Sequence, residues 1–305
     1  MKMTEAHVER YVEEGYVVVE AGLTDADLEP VIQDYTDIVD GIAHNLHSQG
    51  RISSLYEGEP FETRLARIAD EDEETYHNDL PLDVGGTRRR GTFEFLRNET
   101  LLDLVEPLIG PEITCNSITH IRAKLPTDEA REHKSNIAPW HQDAIFTTME
   151  SHHILQITVW LPLCNATEEN GCLHVRPGVH KLKRVFWGYD DVSASVEPVA
   201  VPMKKGDVIF IHKLIPHGSY ANNTDSIRWS MDIRYQQSHE PSPRPEWPSF
   251  MARSRMDPST ETPYEVWRDA WQAGLEKHPG KVGGERPSGT TDYKGLMYLS
   301  DTTGG

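Results

Sequence analysis

His153-Ile154-Leu155-Gln156-Ile157-Thr158-Val159-Trp160-Leu161-Pro162-Leu163 alternates apolar and mixed side chains. Successive side chains of a strand point to opposite faces. Leu155, Ile157, Val159 and Leu161 therefore share one face, and Gln156, Thr158 and Trp160 share the other. A second long strand is predicted over Ser226 to Tyr235, with Ile227, Trp229, Met231 and Ile233 opposite Arg228, Ser230, Asp232 and Arg234. Strands of this kind fit a sandwich or barrel. Its outer face is covered by helices, and its inner face lines a wet cavity.

The chain on either side agrees. Thr4 is placed to cap a helix carrying Ala6, Val8, Tyr11 and Val12, which Gly15 ends. Tyr16-Val17-Val18-Val19 reads as a strand. Thr24, Asp25 and Asp27 open a second helix, with an apolar stripe from Leu28 to Val39 that runs to about residue 48. Phe61 to Ile68 is helical, Asp70 to Thr75 is a solvated acidic run, and Pro81 with Gly85-Gly86 marks a loop. Helical spacing returns over 93–109 and stops at Gly110-Pro111. Strands follow at Ile113 to Leu125, Cys172 to Val175 and Val208 to His212, with a polar loop from Pro126 to Ala138. One more helix is predicted from Pro263 to Glu276, then an irregular tail from Pro279 to Gly305. This order predicts a single α+β domain over 1–305 with a mostly β core at about 113–236. A helical part, 1–110, packs outside the sheet, and a helix with an irregular tail fills 240–305.

Composition narrows the function. Lys and Arg number 30 against 49 Asp and Glu, a net charge of −19. Such acidity repels phosphate backbones and argues against nucleic acid as a partner. No apolar stretch is long enough to span a bilayer, and the N-terminus lacks the apolar core of a signal peptide. A cytoplasmic protein without membrane partners is expected. Cys115, Cys164 and Cys172 form no Cys-x-x-Cys pair, so they read as buried free thiols. The basic clusters Arg88-Arg89-Arg90 and Lys181-Leu182-Lys183-Arg184 read as surface charge.

The chemistry concentrates around Ala138-Pro139-Trp140-His141-Gln142-Asp143. In an extended chain His141 and Asp143 point the same way, as two ligands of a divalent metal must, while Gln142 faces away. His217 is the best third ligand. His120, His152, His153, His174, His180 and His212 rank lower, because none is followed by an arginine as His217 is by Arg228. Two histidines and one carboxylate make a facial triad that leaves positions on iron(II) open. Arg228 lies on the mixed face of its strand, where an inward guanidinium needs an anion. Ser219 is placed to add a hydroxyl to that anion, so a dicarboxylate would reach from the metal to Arg228. His120 and Arg122 share the parity of Lys124, and either face that cavity or lie on a surface strand. The triad also suits a zinc hydrolase, and a jelly-roll binding protein without activity is the remaining alternative. Arg228 separates these, since a hydrolase has no use for a carboxylate clamp there.

Taken in order, several pieces resemble the phytanoyl-CoA dioxygenase family of non-haem iron(II)- and 2-oxoglutarate-dependent oxygenases. They are Gly15-Tyr16-Val17-Val18, Pro139 to Asp143, Glu169-Asn170-Gly171-Cys172-Leu173, Pro177-Gly178-Val179-His180, Lys205-Gly206-Asp207-Val208, and His217 with Arg228. The resemblance implies a double-stranded β-helix (a cupin-like jelly roll) and a hydroxylase using Fe(II), 2-oxoglutarate and O2 on a small-molecule substrate. It implies His141, Asp143 and His217 as metal ligands, and Arg228 and Ser219 at the distal carboxylate of 2-oxoglutarate. Trp160 and Lys124 match positions that face the cosubstrate in the family. They, with Thr158, are expected either to touch it or to line the cavity. Val179 stands where the family usually has serine. Gly50 to Arg90 and the chain beyond His239 find no counterpart.

Overall fold

The Thr4 side chain accepts a hydrogen bond from the His7 N–H to start α1 (Glu5–Glu14), and Gly15 ends it in the left-handed region at φ 77°. This is the computed structural model of the chain, and it describes residues 2–72, 80, 84–127, 137–146, 154–185, 195–278 and 297–298. Thr24 caps α2 (Asp25–Ser48) in the same way. Beyond α3 (Phe61–Glu71), the Gly85-Gly86 stretch expected in a loop forms a short helix, α4 (Val84–Thr87). Gly85 is needed there: a Cβ would stand 2.2 Å from the Trp271 ring.

The segment 93–109 is two helices, α5 (Arg90–Leu96) and α6 (Glu99–Ile109). Asn98 divides them, its Oδ1 accepting from the Leu101 N–H to cap α6. The predicted strand from Ile113 to Leu125 is likewise divided into β2 (Glu112–Cys115) and β3 (His120–Lys124). Between them Asn116 Oδ1 accepts from the Ile118 N–H at 2.9 Å, and that turn breaks the ladder. The acidic run, the Pro126 to Ala138 loop and the tail fall largely outside the described residues.

Among the described residues all strand pairs are antiparallel, and most fall into two main sheets. The larger sheet contains β1 (Tyr16–Val19), β9 (Val208–His212), β5 (Gln156–Pro162), β11 (Arg228–Gln237), β2 and β12 (Phe250–Ser254) in that order, with β3 also paired to β11. The smaller has the order β4 (Ala138–His141), β10 (His217–Ser219), β6 (Leu173–Val175) and β8 (Val199–Val201). A two-stranded pair joins β7 (Arg184–Val185) and β13 (Met297–Tyr298).

The predicted alternation decides where each face goes. Ile157, Val159 and Leu161, with Trp229, Met231, Ile233 and Tyr235, join one core with the helices, α7 (Tyr264–Lys277) among them. Trp160, Ile209 and Ile211 face the other way and pack on Leu173, Val175 and Val201 of the smaller sheet. The architecture is thus α+β with a mostly β core: two antiparallel sheets face each other, with helices outside the larger one. The polar faces of β5 and β11 are buried between the layers, and that of β3 runs from buried Lys124 to exposed Arg122.

Candidate active site

His141 ends β4, and His217 begins β10, its neighbour; the two are register partners. Their ring centroids are 4.3 Å apart. Each Nδ1 meets the backbone carbonyl two residues earlier, Pro139 O at 2.7 Å and Ile215 O at 3.0 Å. A carbonyl only accepts, so Nδ1 carries the proton and the Nε2 lone pair stays available. Burial, and next the nearby His217, lower His141 from 6.5 to about 4, so the ring is neutral at neutral pH.

Asp143 reaches the pair by a route the sequence did not suggest. It lies past the end of β4, at the start of a 3-10 turn (Asp143–Phe146), so a turn and not strand pleating brings it round. One ligand atom from each of His141, Asp143 and His217 lies within 4.8 Å of the others. Gln142 does point away: it is buried and donates to Leu214 O at 2.6 Å.

The larger sheet grips Asp143 from below. Thr158 Oγ1 donates to Asp143 Oδ2, and Arg234 Nη2 donates to Oδ1 at 2.8 Å. Thr158 and Arg234 are register partners on β5 and β11. Burial works to raise the Asp143 carboxyl, but Arg234, His217 and His141 hold it well below the usual carboxylate range. Arg234 also donates to Asp232. Asp232 in turn accepts from Arg122 Nε at 2.9 Å and lies 3.1 Å from His120 Nδ1. A row of alternating charge thus runs from half-exposed Arg122 at the rim to buried Asp143.

Toward the other end of β11, a cationic group collects. Lys124 and Arg228 are register partners on β3 and β11. Lys124 Nζ donates to Ser219 Oγ at 2.8 Å. Arg228 donates to Ser230 Oγ at 3.1 Å, and its guanidinium stands 5.3 Å from the Trp160 ring centroid. Burial, then the charge of Arg228, lower Lys124 from 10.5 to about 7. Ser219 is two residues beyond His217 on β10, roughly 7 Å along the strand.

Of the residues singled out in the sequence, the structure joins His141, Asp143 and His217 in one cluster and Lys124, Ser219, Arg228 and Trp160 in a second. Thr158 lies with the first, at Asp143. His120 and Arg122 lie on the cavity face with Lys124, engaged by Asp232. Arg234 and Asp232 were placed on the mixed face of their strand but given no role in the site. The rule applied to Arg228, that an inward arginine needs an anion, would have found Arg234 on the same face. His174 packs on Tyr220, and His180 on His212, apart from the triad. His152 and His153 lie outside the described residues.

The donor set fits a divalent metal. Two imidazole nitrogens and a deprotonated carboxylate converge, each fixed from behind, and no thiol takes part. The second cluster fits an anion: two buried cations and a hydroxyl meet where like charges would otherwise repel. Among the described residues no helix is long and apolar enough to cross a membrane.

Comparison with known proteins matches the model of the family described as phytanoyl-CoA dioxygenase (PhyH) to residues 11–230. Peroxisomal phytanoyl-CoA dioxygenase of Homo sapiens is 24% identical over 243 residues, 74% of this chain and 66% of that protein. A probable phytanoyl-CoA dioxygenase of Caenorhabditis elegans is 27% identical over 158 residues, 47% of this chain and 50% of that protein. The chain thus spans about half to two thirds of the length of such relatives. Among solved structures, a non-heme monooxygenase, the ThoJ–Ni complex, superposes with a TM-score of 0.55 at 19% identity, covering 88% of this chain and 94% of that one.

Proposed function

Because the chain belongs to the phytanoyl-CoA dioxygenase family, we propose that it is a non-haem iron(II)- and 2-oxoglutarate-dependent oxygenase. We further infer that it hydroxylates a small-molecule metabolite. One observation supports this reading: the His141–Asp143–His217 convergence and a buried Lys124–Arg228–Ser219 cluster lie between the same two sheets, with Ser219 two residues beyond His217 on β10. The first suits iron(II) and the second a carboxylate, which is the pairing a chelating dicarboxylate requires.

When bound, iron(II) supplies the dioxygen chemistry, in which 2-oxoglutarate is decarboxylated to succinate and carbon dioxide while the substrate is oxidised. The chain supplies placement. His141 and His217 offer Nε2, and their Nδ1–H bonds to Pro139 and Ile215 prevent the rings from turning. Asp143 offers its carboxylate, held by Thr158 and Arg234 in one orientation. Arg228 and Ser219 receive the far carboxylate of 2-oxoglutarate, Lys124 adds a second cation, and Trp160 forms a dry wall behind Arg228. Asp143 fills the position a halide would need, which favours oxygen transfer over halogenation.

Anaerobic addition of iron(II) and 2-oxoglutarate is expected to give the weak visible charge-transfer band of the chelate, lost in His141→Ala. Under air, succinate release follows. Absence of the band in the unaltered protein, or activity restored by zinc alone, refutes the reading. The zinc hydrolase alternative predicts no role for Arg228.

A further inference from the structure

Gln156 and Gln236 lie two residues beyond the Thr158–Arg234 pair that grips Asp143, on the side away from Arg228. They are register partners of each other, on the same buried face. Each is 1% exposed. Counting along the strands, they stand roughly 7 Å from the anchors of Asp143. Arg228 and Gln236 therefore lie at opposite ends of β11, with the triad between them.

Backbone carbonyls fix the Gln236 amide, and the Asn116 side chain fixes that of Gln156. Gln236 Nε2 donates to the carbonyls of Glu240 and Pro241, each at 3.1 Å. Its Oε1 therefore points away, and it is buried without a hydrogen-bond partner. Asn116 Oδ1 accepts from the Ile118 N–H, so its Nδ2 is the atom that reaches Gln156 Oε1, at 3.2 Å. Gln156 Nε2 is left as a buried donor without a partner, and Ser117 Oγ in the adjoining turn is in the same state. A buried polar atom with no partner costs about 1–3 kcal/mol, and native folds leave few of them. Here a donor and an acceptor of that kind belong to register partners on paired strands, two residues along from the pair that grips Asp143.

We propose that Gln156 and Gln236 form a specificity site for a neutral substrate with an amide edge, a lactam or primary carboxamide. Its C=O accepts from Gln156 Nε2 and its N–H donates to Gln236 Oε1. A carboxylate fits poorly, because Gln236 Oε1 would face a second acceptor with no proton between them. An ester or ketone satisfies Gln156 and strands Gln236. The inference rests on the oxygenase reading, since it places the amide beside the oxidising centre.

The test uses the full chain loaded anaerobically with iron(II) and 2-oxoglutarate. Three ring-matched probes, 2-pyrrolidinone, γ-butyrolactone and cyclopentanone, are titrated against the visible band, and succinate release is then measured under air. The lactam is expected to perturb the band and raise succinate release at about tenfold lower concentration than the lactone or the ketone, the value of one hydrogen bond. Gln236→Met should make lactam and lactone equal. Gln156→Met should weaken both by about tenfold, with the band before probe addition unchanged. Should either variant misfold, the probe comparison on the unaltered protein still decides. Equal response to lactam and lactone, or a normal band that no probe perturbs, overturns the inference while the oxygenase reading stands. Absence of the band itself removes both.

Discussion

Arg234→Met tests the grip on Asp143. In the folded chain Arg234 stands between two buried carboxylates, bonded to Asp143 at 2.8 Å and to Asp232. Methionine keeps much of the volume and removes the charge. Asp232 retains Arg122 and His120, so the loss falls on Asp143, which keeps only the Thr158 hydroxyl behind it. Removing one member of a buried ion pair costs about 3–5 kcal/mol. Total stability is on the order of 5–15 kcal/mol, so the variant folds but melts roughly 10 °C lower. Metal affinity faces two opposed effects. Loss of the guanidinium relieves its repulsion of a cation, but Asp232 already neutralises most of that charge. Loss of orientation therefore decides, and the affinity for iron(II) or cobalt(II) should fall about 10- to 100-fold. Arg234→Lys should recover part of the stability and less of the affinity, since one ammonium cannot hold both carboxylates in the fork geometry. Calorimetric melts and anaerobic metal titrations read both quantities. A melting point and metal affinity equal to those of the unaltered protein would refute the reasoning.

Other expectations follow from the same geometry. Arg228→Gln should weaken 2-oxoglutarate about 10- to 100-fold, the worth of a charged hydrogen bond, with metal affinity unchanged in parallel titrations. Lys124, lowered from 10.5 to about 7, should make 2-oxoglutarate affinity fall as pH rises above that value, and Lys124→Met should flatten the profile. The linkage to folding has the opposite sense. The folded protein gives up this proton before the unfolded chain does, so the lysine's contribution to stability rises with pH between about 7 and 10.5, as melts across that range should show. Gly85→Ala drives a methyl to 2.2 Å from the Trp271 ring, and should lower stability by about 1–3 kcal/mol in a denaturant titration.

The elements most legible in the sequence were those with local causes. Thr4 and Gly15 bound α1 where their chemistry says they should, and the β-branched run at Tyr16–Val19 forms the strand it predicts. The faces of β5 and β11 were legible for the same reason, because strand parity is set by bond geometry and survives errors in where a strand ends. What failed was continuity. Ile113 to Leu125 looked unbroken because its apolar residues outweigh one Asn-Ser turn, and only the side-chain bond of Asn116 divides it. The place of Asp143 beside His141 and His217 was legible without its path, since a pleat and a turn can deliver the same carboxylate to the same place. Arg234, Asp232 and Gln156 were placed on the inward faces, but their pairings stayed hidden because the partners are distant in sequence, and Gln236 fell past the predicted end of its strand.

The candidate ligands are shared unequally between the two layers. His141 and His217 belong to the four-stranded sheet, and Asp143 is held by Thr158 and Arg234 of the larger one. A cation seated among them would act as a rivet through two plates. Helices brace the larger plate from outside, whereas the smaller one is built from strands of only three or four residues. The standing of that thin layer then depends on metal supply: ligand binding to the folded state adds stability in proportion to the logarithm of free metal. Without such a cation the smaller sheet would lose one of its ties to the larger.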